Sequence, residues 1–408
     1  MIARVPPSCL TVLAPIRRGE DAALRAVLRA IGDDIRGARR EAGASAPHID
    51  FPASERIHFA RFGILADPDR GPDATRLLFA SVYDGTLDDH LFELLAITSD
   101  PDAVWGRCED YGGVAAFATF IRAHAHQPAA FYTAFRDEAA ASIRRAFQSG
   151  GDVPPLPPPS LIARVASALA TIARAAPLPI DMFRAVARFG VGTVYRGVSR
   201  IIASLDRYPF FRVVNRLTGN RLPPRQSPYS SVAVDHCLAP APLVDGDEVP
   251  TTAPATPPSF REDVVVQNQL TLVTVITPAN DRRVRAVMSG IDSYAKRLAP
   301  PGSLIGVSTI HFVRWFVIDE GRRLIMVSDY DGSWENYIDE FAEMILSGLD
   351  AIWETSFGYP PDGARDLPAF KRFLRLHQVP SELFFSAYPN TTVQNIATAA
   401  PHRRTRVA

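Results

Sequence analysis

A chain of 408 residues, 47% hydrophobic and 22% charged, can bury a large core and exceeds one compact domain, so two or more are expected. Lys+Arg and Asp+Glu are both 44, and the zero net charge excludes a uniformly basic nucleic-acid binder. Cys9, Cys108 and Cys237 lie far apart with no CxxC, which excludes a disulfide scaffold and a thiolate zinc site and suits a cytoplasmic chain.

In chain order, Leu10–Ile16 is an apolar run with β-branched residues and predicts a strand. Asp21–Ile35 carries apolar residues at helical spacing. Ile57–Leu65 and Arg76–Tyr83 predict strands, Leu87–Ile97 a helix, and Ala130–Phe135 a short aromatic strand. The same order returns as strand Leu270–Thr277, helix Asp281–Leu298, strands Ile310–Ile318 and Arg323–Tyr330, helix Trp334–Leu346 and strand Leu383–Tyr388.

The residues repeat with the elements. Ile57-His58-Phe59-Ala60-Arg61 matches Ile310-His311-Phe312-Val313-Arg314, and Phe117, Phe120, Arg122 and His124 match Phe370, Phe373, Arg375 and His377 at the same offset of 253. Phe131, Ala134 and Phe135 match Phe384, Ala387 and Tyr388 at that offset, and Tyr83-Asp84-Gly85 matches Tyr330-Asp331-Gly332. Matches in one order, with length changes only in loops, indicate a tandem duplication. The organisation expected is repeat one over 1–148, a proline hinge and cationic helical insert over 149–221, a disordered linker over 222–265, repeat two over 266–400 and a basic tail over 401–408.

Each repeat reads β-α-β-β-α-β with a small helical addition before the last strand, the ferredoxin-like order. Along the second strand Ile57, Phe59 and Arg61 fall on one side and His58, Ala60 and Phe62 on the other, so both faces are apolar enough to be buried. Two such sheets can cover each other. The fold class expected is therefore α+β, tandem ferredoxin-like repeats closed as a pseudo-dimeric two-sheet barrel whose interior would take a ligand.

Residues 160–221 hold ten arginines against Asp181 and Asp206. Over Phe183–Leu205, Phe183, Ala187, Val191, Val194, Val198, Ile201 and Leu205 share one helical face, and Arg184, Arg188, Arg196 and Arg200 sweep the other. That is the pattern of an in-plane membrane helix on an anionic surface, and packing on the barrel would bury the same face. Two rings among the arginines form too thin a stacking platform to favour nucleic acid. No segment approaches the length of a membrane span, and Cys9–Ile16 aligns with a strand of repeat two rather than reading as a signal peptide.

Candidate chemistry rests on duplicated polar residues. Arg61 and Arg314 sit inside apolar strands, where a guanidinium needs a carboxylate or an anionic ligand. Asp84 and Asp331, ending the next strand, would be partners within each sheet; otherwise the arginines form a site for carboxylate, phosphate or peroxide. Asp-Gly also suits a turn, with Gly at a special backbone angle and Thr86 or Ser333 capping the next helix.

Two ferredoxin-like repeats closing into a barrel resemble the dimeric α+β barrel superfamily that contains dye-decolourising peroxidases and chlorite dismutases. In the former a Gly-x-x-Asp-Gly motif supplies a distal Asp. Here Ser81-Val82-Tyr83-Asp84-Gly85 and Ser328-Asp329-Tyr330-Asp331-Gly332 keep Asp-Gly and replace the first Gly by Ser. The resemblance implies haem chemistry, with Asp84 or Asp331 moving a proton, Arg61 or Arg314 stabilising the breaking O–O bond, and His311 or His377 holding iron. His311 and Arg314, three apart in a strand, point to opposite faces unless a bulge intervenes. The helix carrying His377 is expected outside the sheet.

The function expected is a cytoplasmic, peripheral membrane-associated protein whose barrel binds an apolar or anionic small molecule. The alternative is a haem-dependent peroxidase-like oxidoreductase acting on a hydrophobic substrate.

Overall fold

The computed structural model describes residues 6–35, 48–148, 266–297, 299–397 and 399. The hinge, the cationic insert with Arg184, Arg188, Arg196 and Arg200, the linker and the basic tail lie outside the described residues.

Repeat one runs β1 (Ser8–Pro15), α1 (Asp21–Ile35), β2 (Ile57–Ala66), β3 (Thr75–Tyr83), α2 (Leu87–Ala96), α3 (Pro101–Trp105), α4 (Phe117–His124), β4 (Ala130–Thr133) and α5 (Ala140–Gln148). Repeat two runs β5 (Gln267–Val275), α6 (Asp281–Arg297), β6 (Ile310–Ile318), β7 (Arg323–Asp331), α7 (Trp334–Trp353), α8 (Leu367–His377) and β8 (Ser381–Ser386). Helix α1 buries Leu24, Leu28 and Ile31, spaced four and three apart as one helical face requires. Helix α7 runs past the expected end at Leu346, after a kink at Ile345 just before Ser347-Gly348.

The strands form two antiparallel four-stranded sheets, β1-β3-β2-β8 and β4-β6-β7-β5. Each repeat therefore gives its last strand to the other repeat's sheet: Phe384 of β8 lies opposite Arg61, and Phe131 of β4 opposite Arg314. On the way, each chain touches its own first strand at a single bridge, Val12–Ala125 and Leu272–Gln378. Pro128 and Pro380 follow closely. A proline has no N–H to extend the ladder, and the chain crosses to the other sheet. These crossings form the two seams that close the barrel.

The sheets face each other across a packed interior. At one end Leu13, Leu65, Leu78 and Ala80 meet Phe316, Ile318, Ile325 and Val327. Arg76 closes this end by bonding Asp67 at 2.6 Å and Asp319 of the other repeat at 2.7 Å, and Arg323 answers with Asp69 at 2.7 Å. The opposite end is aromatic and polar, with Phe59 and Phe312 in contact at 5.6 Å. Helices cover the outer faces. Between sheet two and helices α7 and α8 lies a small apolar cavity of about 10 Å³, lined by Leu272, Trp315, Phe341 and Phe370 among others.

Candidate functional site

Strand β2 pairs with β3 as Ile57–Tyr83, then Phe59–Val82; strand β6 pairs with β7 as Ile310–Tyr330, then Phe312–Asp329. His58 and His311 are the extra residues, so each repeat carries a β-bulge at its histidine. Strict alternation would send His58 to the helix side with Ala60 and Phe62. The bulge instead lays its ring 5.3 Å from Phe312 of the opposite sheet, and the His311 ring 5.3 Å from Phe59. His311 and Arg314 thus need not face opposite ways.

Each histidine is held by the Asp of its own Tyr-Asp-Gly turn. His58 Nε2 meets Asp84 Oδ1 at 3.1 Å, and His311 Nε2 meets Asp331 Oδ1 at 2.7 Å. The second carboxylate oxygen accepts from the Ala140 N–H in one repeat and the Val393 N–H in the other, both at 2.7 Å. With the carboxylates ionised, each Nε2 donates and each Nδ1 of the neutral ring is an acceptor. His58 Nδ1 takes the Tyr388 hydroxyl at 2.8 Å, whereas the buried His311 Nδ1 has no partner among the described residues, and the Phe135 ring lies 5.9 Å from the His311 ring. Burial, with Asp84, Asp329 and Asp331 nearby, pushes the Tyr388 phenol well above its ordinary range.

The turns themselves follow the sequence reading. Gly85 and Gly332 have φ of 94° and 82°, and Thr86 and Ser333 accept from the N–H of Asp89 and Asn336.

The arginines break the duplication's symmetry. Arg61, 1% exposed, crosses to the other sheet and ion-pairs with Asp329, while bonding Ser328 O at 2.8 Å, Leu270 O at 3.1 Å, and Gln269 Oε1 and Thr271 Oγ1 at 3.2 Å. The Phe384 ring lies 5.6 Å from its guanidinium. Arg314, equally buried, bonds Ser81 O at 3.3 Å, and among the described residues its Nε has no partner. Neither arginine pairs with Asp84 or Asp331. The expectation of an Arg–Asp pair within each sheet is corrected, because both carboxylates are committed to a histidine and a backbone N–H. Burial pulls Arg61 below the ordinary arginine range; Asp329 opposes this and Arg314 adds to it, so the two guanidinium groups are neighbours.

The cause of the asymmetry is two substitutions between the repeats. Strand register makes Val82 the counterpart of Asp329, and Cys9 that of Gln269. Thr11, counterpart of Thr271, is buried, and its hydroxyl has no partner among the described residues. Burial raises the Cys9 thiol above its ordinary range, while the Arg314 charge pulls it down. Val82 and Asp329 were not singled out by sequence reasoning. The signal was present in the repeat alignment, at positions where one copy is polar and the other apolar.

The residues expected to hold haem do not fit it. An axial histidine needs a free nitrogen facing a slot for the macrocycle. His311 has an unpartnered Nδ1 among the described residues, but the ring is fully buried and enclosed by Phe59, Phe135 and Tyr388, which leaves no slot for the macrocycle. His377 lies on α8, outside the sheet, its Nδ1 on Phe373 O at 2.8 Å and its ring against Phe373. Among the described residues no group of three or more His, Cys, Asp or Glu side chains is placed to hold a metal ion.

No protein-family model, curated protein or solved structure matches this chain.

Proposed function

We propose that the barrel is a binding module for a small anionic molecule, held in the interior by Arg314. One observation carries this reading: Arg314 is 1% exposed and no carboxylate pairs with it among the described residues, while its counterpart Arg61 has Asp329. A buried charge left without its partner costs about 3–5 kcal/mol, and an anionic ligand would offset that cost. Cys9 and Phe131, both half-buried at the seam between β1 and β4, offer the approach. The cationic insert would bring this module to an anionic bilayer surface, a role supported by the sequence spacing of Arg184, Arg188, Arg196 and Arg200 relative to its apolar residues. Among the described residues no helix is long and apolar enough to cross a membrane.

The test is thermal unfolding of the full chain titrated with small anions at constant ionic strength. A saturable rise, reaching about 2.7 kcal/mol of added stability at a hundredfold excess over Kd, is expected and should vanish in Arg314→Met. An Arg314→Met protein that responds like the native one excludes this site.

A further inference from the structure

We infer that the anion is a small monocarboxylate, whose carboxylate takes on Arg314 the place that the Asp329 side chain takes on Arg61. This rests on the anion-binding reading above and adds the ligand's chemical class.

The two halves of the barrel set the same frame around their arginines. Ser328 and Thr271 surround Arg61 as Ser81 and Thr11 stand at the equivalent register positions for Arg314. In the Arg61 half the guanidinium is held by Ser328 O, Leu270 O, Gln269 Oε1, Thr271 Oγ1 and Asp329 Oδ1, while Asp329 Oδ2 has no partner among the described residues. In the Arg314 half the frame remains but the two side-chain acceptors do not: Val82 replaces the carboxylate and Cys9 the amide. What is left unpartnered among the described residues is a guanidinium edge at Arg314 Nε and a hydroxyl at Thr11. A carboxylate satisfies both, taking parallel N–H bonds from the guanidinium and an O–H bond from the threonine.

Charge selects a monoanion. Within the arginine cluster two guanidinium groups, Arg61 and Arg314, share one carboxylate, Asp329, while Asp84 and Asp331 are committed to the histidines; one further carboxylate balances the cluster. A dianion would reverse the sign in a low-dielectric site and carry an unpaired charge of its own. Size selects a short chain. Val82 fills much of the volume of an aspartate, so the side-chain volume lost relative to the Arg61 half is mainly that by which cysteine is shorter than glutamine. Val82, Val327 and Phe131 flank the position with apolar surface.

Cys9 supplies a reporter at the seam, with buried Cys108 as an internal reference. The experiment is alkylation of the full chain, read peptide by peptide by mass spectrometry, with acetate, propionate, chloride, nitrate, sulfate or phosphate at equal ionic strength. Acetate or propionate at ten times its Kd should slow Cys9 labelling by about tenfold, leaving Cys108 unchanged, with the other anions inert. Val82→Asp supplies a carboxylate from the protein itself and should abolish the protection; Arg314→Met should do so as well and guards against a folding defect in the first variant. Protection by phosphate, nitrate or chloride without carboxylates would overturn the carboxylate assignment and leave the anion reading standing. Protection by no anion would overturn both. Carboxylate protection that survives in a folded Val82→Asp protein would overturn the placement on Arg314.

Discussion

Arg61 of strand β2 reaches across the barrel to the Asp329 carboxylate on β7 of the opposite sheet, so the principal buried ion pair of this fold joins the two repeats. Its counterpart position, Arg314 with Val82, has the cation and lacks the anion.

That pair sets the first prediction. Asp329→Ala strands the Arg61 charge and should cost about 3–5 kcal/mol in urea unfolding. Arg61→Met combined with Asp329→Leu should cost clearly less than the two single changes together, because no charge is left behind. Additive losses would mean that Arg61 is balanced by another group.

His90 gives the pH dependence. It is buried in α2, stacked on Tyr83 at 4.0 Å and bonded through Nε2 to Ser81 Oγ at 2.8 Å. Burial, with a smaller contribution from Arg56, lowers its pKa from 6.5 to about 3. The unfolded chain therefore binds a proton in that window that the folded protein does not. Stability should fall as pH drops from about 6.5 towards 3, by up to ~1.4 kcal/mol per pH unit from this group. The other repeat places Tyr337 against Ser328 and Tyr330 at the equivalent point. His90→Tyr should flatten the unfolding curve over that window relative to the native protein; an unchanged slope would show that His90 protonates without cost in the fold.

The His311 Nδ1 atom is buried without a partner because Phe135 stands where Tyr388 serves His58. Phe135→Tyr should supply the missing hydroxyl and add about 1 kcal/mol of stability. Tyr388→Phe should remove one hydrogen bond and cost about 1–2 kcal/mol. Urea denaturation of both variants checks the pair, and a loss in both would show that the Phe135 site has no room for the oxygen.

The cationic insert is tested by liposome flotation. Binding to anionic vesicles should weaken as salt rises, and replacing Arg184, Arg188, Arg196 and Arg200 with Glu should abolish it. Flotation unchanged in that variant would remove the membrane from the account.

The duplication, the strand order and the Thr86 and Ser333 caps were legible in the sequence because each depends on local pattern. The bulges were not. Ile57-His58-Phe59 reads as ordinary alternation, and only its pairing to Tyr83 and Val82 reveals the extra residue. The exchange of β4 and β8 depends on which sheet edge is free, a tertiary property, although Pro128 and Pro380 mark where each ladder stops. Position at the end of the next strand paired Arg61 with Asp84. In the fold the bulge turns His58 onto Asp84, and Arg61 reaches across the barrel to Asp329 on the facing sheet. Comparing the copies for differences, Val82 against Asp329 and Phe135 against Tyr388, would have pointed to the asymmetric half.

The most direct measurement of an anion site at Arg314 is the unfolding free energy of Arg314→Met beside the native protein, in a low-chloride zwitterionic buffer and again with saturating acetate. In the first buffer the methionine variant should equal or exceed the native protein, because a buried unpaired charge has been replaced by an apolar side chain. With acetate the order should reverse, through stabilisation of the native protein alone. A variant that is about 3–5 kcal/mol less stable in both buffers would contradict the account and make Arg314 a structural cation already balanced within the fold.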